Sequence, residues 1–196
     1  MHSIASVSTR GGRLTRLIAS VALLTLGPVP ILDAQEQSLA PYVPTPQEVV
    51  DRMLELADVD ADDVVYDLGC GDGRIPITAA VKYGARGIGI DIDPVRVAES
   101  RANAAKAGVA ELTEFRQQDA MTVDVSEATV VTLYLLSSSN LKLRPILTRQ
   151  LAPGSRIVSH AFSMGDWEPE RVESFTDSNG NTRTLYLWRT DGTVRP

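Results

Sequence analysis

The sequence predicts a doubly wound α/β fold: a mostly parallel, seven-stranded sheet covered by helices, with an antiparallel hairpin at its C-terminal end. Three observations carry this. Apolar, β-branched runs alternate with helix-type stretches from Val64 onward, the pattern of successive βαβ units. The first run, VVYDL, flows into GCGDGR, a glycine turn that opens a helix as in ligand-binding α/β sheets. Near the C-terminus, SNGN separates RVESFTD from TRTLYLWRT, and Asn179–Gly180 is a strong hairpin signal.

Each element has a local reason. Residues 35–44 are polar and proline-bearing and read as an extended arm. In TPQE, Thr45 can cap a helix, Pro46 suits its first position and Glu48 completes a capping box. Val49, Val50, Met53, Leu54 and Leu56 then supply an apolar face at helical spacing. The first strand is Val64–Leu68. The next helix tolerates Pro76 only because it falls in the first turn, and ends at Gly84. A second strand covers Ala85–Ile90. Asp93 and Pro94 start another helix, stopped by Gly108. A strand follows near Leu112–Gln117. Ala128–Leu136 is a continuous apolar run, as expected of a central parallel strand. The helix beginning at Asn140 carries an interruption at Pro145 and stops by Gly154, and SRIVSHAF is the fifth strand. The arrangement is Rossmann-like.

The N-terminus differs in style. Arg10, Arg13 and Arg16 precede the apolar run Leu17–Leu26, followed by Gly27, Pro28, Pro30 and LDAQ. This reads as a signal peptide cleaved after Ala34, or an uncleaved N-terminal anchor. The run is short for a membrane span. The expectation is therefore an exported chain, or one held at a membrane by residues 1–34. With 196 residues, one domain is the prior. A formal net charge of −6 argues against nucleic acid as the main partner. Cys70 is the only cysteine and there are two histidines, which rules out an intramolecular disulfide and argues against a metal site. Oligomeric state leaves no trace in the sequence.

In open α/β sheets the ligand lies beyond the carboxyl ends of the strands. Three of those ends carry acids: Asp67, Asp91 and Asp119. Asp91 follows Asp67 near the roughly 20-residue spacing at which an acid meets a ribose diol. Asp119 can accept from an exocyclic amine such as adenine N6. A pyrophosphate beside Asp67 would meet like-charge repulsion of several kcal/mol, on the order expected at an effective dielectric of about 20. An ammonium would be favoured instead. A ligand with an amino acid at one end, a ribose between and adenine at the other meets all three demands, and S-adenosylmethionine is that ligand. The N–H groups of the glycine turn are then expected to serve its carboxylate.

The motif DLGCGDGR resembles the first motif of class I methyltransferases, GIGIDID their acidic second motif and FRQQDA their adenine-contacting third, over about Ala61–Arg189. More narrowly, PYVPTP, DLGCGDGR, VVTLYLL and RIVSHAF followed by GDW resemble the lysine methyltransferases of the ATP synthase c-subunit and adenine nucleotide translocase type. The chain then divides into the leader at 1–34, an arm and leading helix at 35–60 and, as the resemblance implies, a methyltransferase domain at 61–196. It implies cofactor contacts at Thr45, Asp67, Gly69, Cys70, Gly71, Gly73, Asp91, Ile92, Asp119 and Ala120, with Tyr42 helping Thr45 to enclose the ligand. It also implies a protein substrate, methylated on a lysine. Ser137 follows YLL where the family pattern leads one to expect proline, so the substrate loop departs from it. A small-molecule methyltransferase and a non-catalytic cofactor-binding module are the alternatives.

For catalysis, Tyr134 at the end of the fourth strand can orient an amine through its hydroxyl and ring. His160, near the end of the fifth, is either a base or a hydrogen-bonded strand residue. Trp167 can hold a lysine through cation–π contact or plug the surface. Cys70 reads as cofactor wall, Asp72 as a helix cap, and Arg96, Glu99 and Arg101 as a solvated helix face.

Overall fold

The computed structural model describes residues 39–196, together with residue 2. The leader expected at residues 1–34, apart from residue 2, lies outside them. Seven strands form one sheet in the order β3-β2-β1-β4-β5-β7-β6. These are β1 (Val64–Leu68), β2 (Arg86–Asp91), β3 (Thr113–Gln117), β4 (Val130–Leu133), β5 (Arg156–His160), β6 (Arg171–Thr176) and β7 (Thr182–Arg189). The first five are parallel, whereas β7 runs antiparallel between β5 and β6. The chain leaves β1 toward β3 and returns on the other side at β4, so the topological switch point lies between β1 and β4.

Strand alternation sorts the core into two layers. Val65, Val130, Val158 and Leu187 meet the buried side chains of α1 (Gln47–Leu56) and α2 (Arg74–Tyr83). Tyr66, Val131, Ile157 and Trp188 point the other way and meet Leu143 and Leu147 of α4 (Ser137–Gln150). Helix α3 (Pro94–Ala107) packs beside α2 along β2 and β3. The Asp93 side chain accepts from the Val95 N–H at its start, and Gly108 ends it in the left-handed region.

Three local expectations are corrected. No capping box forms at α1: its N-cap is Pro46, with no side-chain cap hydrogen bond. The Glu48 carboxylate instead accepts from the Ser178 N–H at 2.9 Å, while the Thr45 carbonyl accepts from Arg74 Nη1 at 2.7 Å. Tertiary partners outcompete the local pair. The apolar run 128–136 forms only four residues of strand, because its last residues leave the sheet to wall a cavity. Helix α4 begins at Ser137 and continues through Pro145. The donor that proline lacks would face the carbonyl of Leu141, whose side chain is exposed. Among the described residues no helix is long and apolar enough to cross a membrane.

Candidate active site

A cavity of about 480 Å³ opens at the carboxyl ends of β1, β2 and β4. Its walls include Thr45, Asp67, Gly69, Cys70, Gly71, Asp91, Ile92, Asp119, Ala120 and Tyr134. Gly73 and His160 are not among its lining residues. Gly73 lies one turn behind, at φ 79°, where an added Cβ would come within 2.7 Å of Phe115 and Ser100. It serves the packing of the turn onto β3.

Asp67 ends β1 with 3% of its surface exposed, and one carboxylate oxygen accepts from the Thr132 hydroxyl at 2.8 Å. Register puts Thr132 directly opposite on β4. Burial pushes the Asp67 carboxyl up to about 7 against that hydrogen bond, with the charges of Asp91 and Asp72 adding to the rise. Among the described residues this acid has no cation paired with it. Asp91 is fixed differently: one oxygen accepts from the Gly71 N–H at 2.8 Å and the other from the Asp93 N–H at 2.9 Å. Each oxygen keeps a second lone pair for a ligand hydroxyl. Asp119 accepts from the Met121 N–H through Oδ1.

The glycine turn itself is largely spoken for, which corrects the expected anion role. The N–H groups of Gly69 and Cys70 go to the Ile90 carbonyl, that of Gly71 to Asp91, that of Gly73 to the Cys70 carbonyl and that of Arg74 to Asp72. Cations at this end of the cavity are Arg74 and Arg96. The Asp72 carboxylate pairs with the Arg74 guanidinium. Burial raises Asp72, but the hydrogen bonds and charge of Arg74 outweigh it and hold the acid below its usual range. The cap position itself is Gly73, with no side-chain cap, and Asp72 instead holds the first turn of α2 through the N–H and guanidinium of Arg74. Arg96, which sequence alone reads as a solvated helix face, lies 4.5 Å over the Tyr42 ring. No periodicity signals this, since its partner is a residue of the arm.

The arm crosses the cavity. Leu39 through Thr45 all line it, the Leu39 carbonyl accepts from the Ser139 hydroxyl, and Tyr42 lies on the glycine turn. A Cβ at Gly71 would stand 2.5 Å from the Tyr42 ring, so glycine is needed there for the close approach as well as for φ 55°. Burial pushes the Cys70 thiol far up, with the charge of Asp67 adding, which keeps it an unreactive wall.

The end of β4 brings Tyr134, Leu135 and Leu136 to the cavity, where Leu135 packs against Gly69 of the turn. The Tyr134 hydroxyl has no hydrogen-bond partner among the described residues, and its ring centroid lies 4.0 Å from that of His160. His160 is 1% exposed. Burial, aided by the Arg183 charge, lowers it to about 4, so it is a neutral ring at physiological pH. Trp167 lies away from the cavity lining, under the guanidinium of Arg195 at 4.5 Å.

The donor set fits an adenosyl amino acid: a buried carboxylate for an ammonium, Asp91 for a diol, Asp119 for an exocyclic amine and arginines for a carboxylate. Comparison with known proteins agrees. Residues 67–171 match the family model described as the ANTKMT methyltransferase domain. The chain is 48% identical over 149 residues to a protein-lysine N-methyltransferase of Saccharolobus islandicus, covering 76% of this chain and 92% of that protein. It is 32% identical over 133 residues to the adenine nucleotide translocase lysine N-methyltransferase of Mus musculus, covering 67% of this chain and 57% of that protein. A crystal structure described as an RNA methyltransferase from Salinibacter ruber, in complex with S-adenosyl-L-homocysteine, shares 59% identity and a TM-score of 0.73, covering 78% of this chain and 97% of that one.

Proposed function

Because the chain belongs to the ANTKMT methyltransferase domain family and is an S-adenosylmethionine-dependent methyltransferase, we propose that its acceptor is a lysine side chain of a protein. The observation that carries this reading is the reacting end of the cavity, walled by Tyr134, Leu135 and Leu136. Bound S-adenosylmethionine supplies an electrophilic methyl group on a sulfonium. The chain's own task is then to present a neutral nitrogen. Apolar walls lower the pKa of an entering ammonium by desolvating it, which releases its proton to solvent. The Tyr134 hydroxyl accepts from the remaining N–H and aims the lone pair. Asp67 takes the cofactor's ammonium, Asp91 its ribose and Asp119 its adenine. Positioning dominates because the leaving thioether needs no further activation. The protein-lysine N-methyltransferase of Saccharolobus islandicus, 48% identical over 92% of its own length, supports the same acceptor.

RNA is the second reading, favoured by the description of the Salinibacter ruber protein. The formal charge of −6 weighs against it, since RNA binding is carried by phosphate neutralisation. Incubation of the protein with methyl-labelled S-adenosylmethionine and a cell lysate, split into protease and ribonuclease arms, separates the two. Label that survives ribonuclease and yields methyl-lysine on acid hydrolysis is expected. Label lost to ribonuclease would transfer the assignment to RNA.

For residues 1–34 the proposal remains an export signal or membrane anchor, supported by the arginine-flanked apolar run. Mass analysis of the mature N-terminus tests it.

A further inference from the structure

Beyond the cavity, the chain makes an unusual turn at the end of β5. Ala161 has φ 66°, one of two positive-φ residues other than glycine among the described residues. The Phe162 N–H reaches back to the His160 carbonyl at 2.9 Å, which makes residues 160–162 a γ-turn of the rare, strained kind. Such strain persists only where the surroundings over-determine it. Here they do. The Ala161 N–H is held by the Thr184 carbonyl of β7, and the Phe162 carbonyl accepts from both Asn140 Nδ2 and the Ser159 hydroxyl.

The turn brings two rings to one place. His160 packs against Tyr134 at 4.0 Å, and Phe162 stacks on the same tyrosine at 6.3 Å, 28° from parallel. His160 is fully buried, with Nδ1 lacking a partner among the described residues. Phe162 is half-buried and outside the cavity lining, so it borders Tyr134 from beyond the cavity wall. The ring faces attract a cation, and an aliphatic stem packs against them without losing water-bound polar groups.

Resting on the lysine reading above, we propose that Tyr134 and Phe162 form the slot through which the substrate's amine-bearing side chain enters. Ala161 and His160 are the positioning residues that hold the two rings in place. Phe162 sets specificity for a cationic, flexible side chain, and the strain at Ala161 fixes the slot's geometry.

The test uses the full chain and a ten-residue lysine homopolymer as acceptor, alongside lysate protein. Phe162→Leu keeps bulk but removes the ring. It is expected to raise KM for the lysine peptide about 3- to 30-fold, the range of a cation–π contact. The kcat and the Kd for S-adenosylhomocysteine should stay within about twofold of wild type, and Phe162→Tyr should restore KM. Ala161→Gly relieves the strain, so it should raise Tm and still raise KM, a combination that a purely structural role would not produce. An unchanged KM in Phe162→Leu, with wild type methylating lysine, overturns the slot alone. A wild-type chain that labels RNA and no protein overturns the lysine reading and the slot with it. If Phe162→Leu lowers Tm and weakens S-adenosylhomocysteine binding together, the ring is structural and the slot is again overturned.

Discussion

Asp67 shows how one residue can trade stability for binding. Its carboxyl is pushed up to about 7 by burial, against an ordinary 3.8 in the unfolded chain. Between these values the folded protein holds a proton that the unfolded one has released. Stability of the cofactor-free protein should therefore fall as pH rises from about 4 to about 7, and level off above. Cofactor affinity should move oppositely, because the ammonium needs the ionised form: Kd should tighten between about pH 6 and about pH 8. Asp67→Asn separates the two effects. It should raise Tm at about pH 8 and weaken S-adenosylmethionine binding by roughly 10- to 100-fold, the scale of a charged hydrogen bond. Calorimetric titration and thermal unfolding across this pH range check both signs. A tighter-binding Asn variant would show that the ammonium lies elsewhere.

At the scale of elements, the arm at 39–45 is held over the site by side chains from three helices: Arg74 of α2, Arg96 of α3 and Ser139 of α4. Tyr42 contributes its ring to the Gly71 turn and to Arg96. Truncating it in Tyr42→Ala should speed cofactor dissociation about tenfold, since one aromatic contact is worth about 1–2 kcal/mol, with little change in Tm because the side chain is half exposed. Stopped-flow displacement of S-adenosylhomocysteine measures it. The arm also marks what a sequence can reveal. Strands β1, β2 and β5, the stops at Gly84 and Gly108, the Asp93 cap and the hairpin at Asn179–Gly180 were legible because each obeys a local rule of pattern or capping. So were the acids at the strand ends, because parallel strands deliver successive carboxyl ends to one rim. What was not legible depended on partners distant in the chain. Glu48 of the expected capping box went to Ser178, Arg96 found Tyr42 rather than solvent, and the N–H groups of the glycine turn went to Ile90 and Asp91. The strained turn at Ala161 carries no residue signature, since alanine gives no hint of positive φ.

For the molecule as a whole, the two rims of the sheet follow opposite electrostatic rules. The rim at the strands' carboxyl ends keeps Asp67 without a cation among the described residues. At the opposite rim Asp63, just before β1, is buried and fully engaged. Its carboxylate accepts from the Thr129 hydroxyl at 2.6 Å and the Asp60 N–H at 2.9 Å, and pairs with the guanidinium of Arg156 at the start of β5. These contacts tie β1, the entry to β4 and β5 together below the switch point. Burial raises Asp63, but Thr129, Asp60 and Arg156 outweigh it and hold the acid below its usual range. The sign is the reverse of that for Asp67. Stability from Asp63 is fully present above its ordinary value near 3.8 and is lost as pH falls through the depressed folded value. Removing the charge in Asp63→Asn leaves the largely covered Arg156 without its counter-ion, and Arg156 Nε already lacks a partner among the described residues. The expected cost is about 3–5 kcal/mol in urea unfolding at about pH 7. The double variant Asp63→Asn with Arg156→Met should recover most of that loss, because no unpaired charge remains. Cofactor Kd should stay within about twofold of wild type in the double variant, since the pair sits at the far ends of the strands from the cavity. If Asp63→Asn cost less than about 1 kcal/mol, the range of an exposed pair, the lower rim would not be the anchor of the sheet.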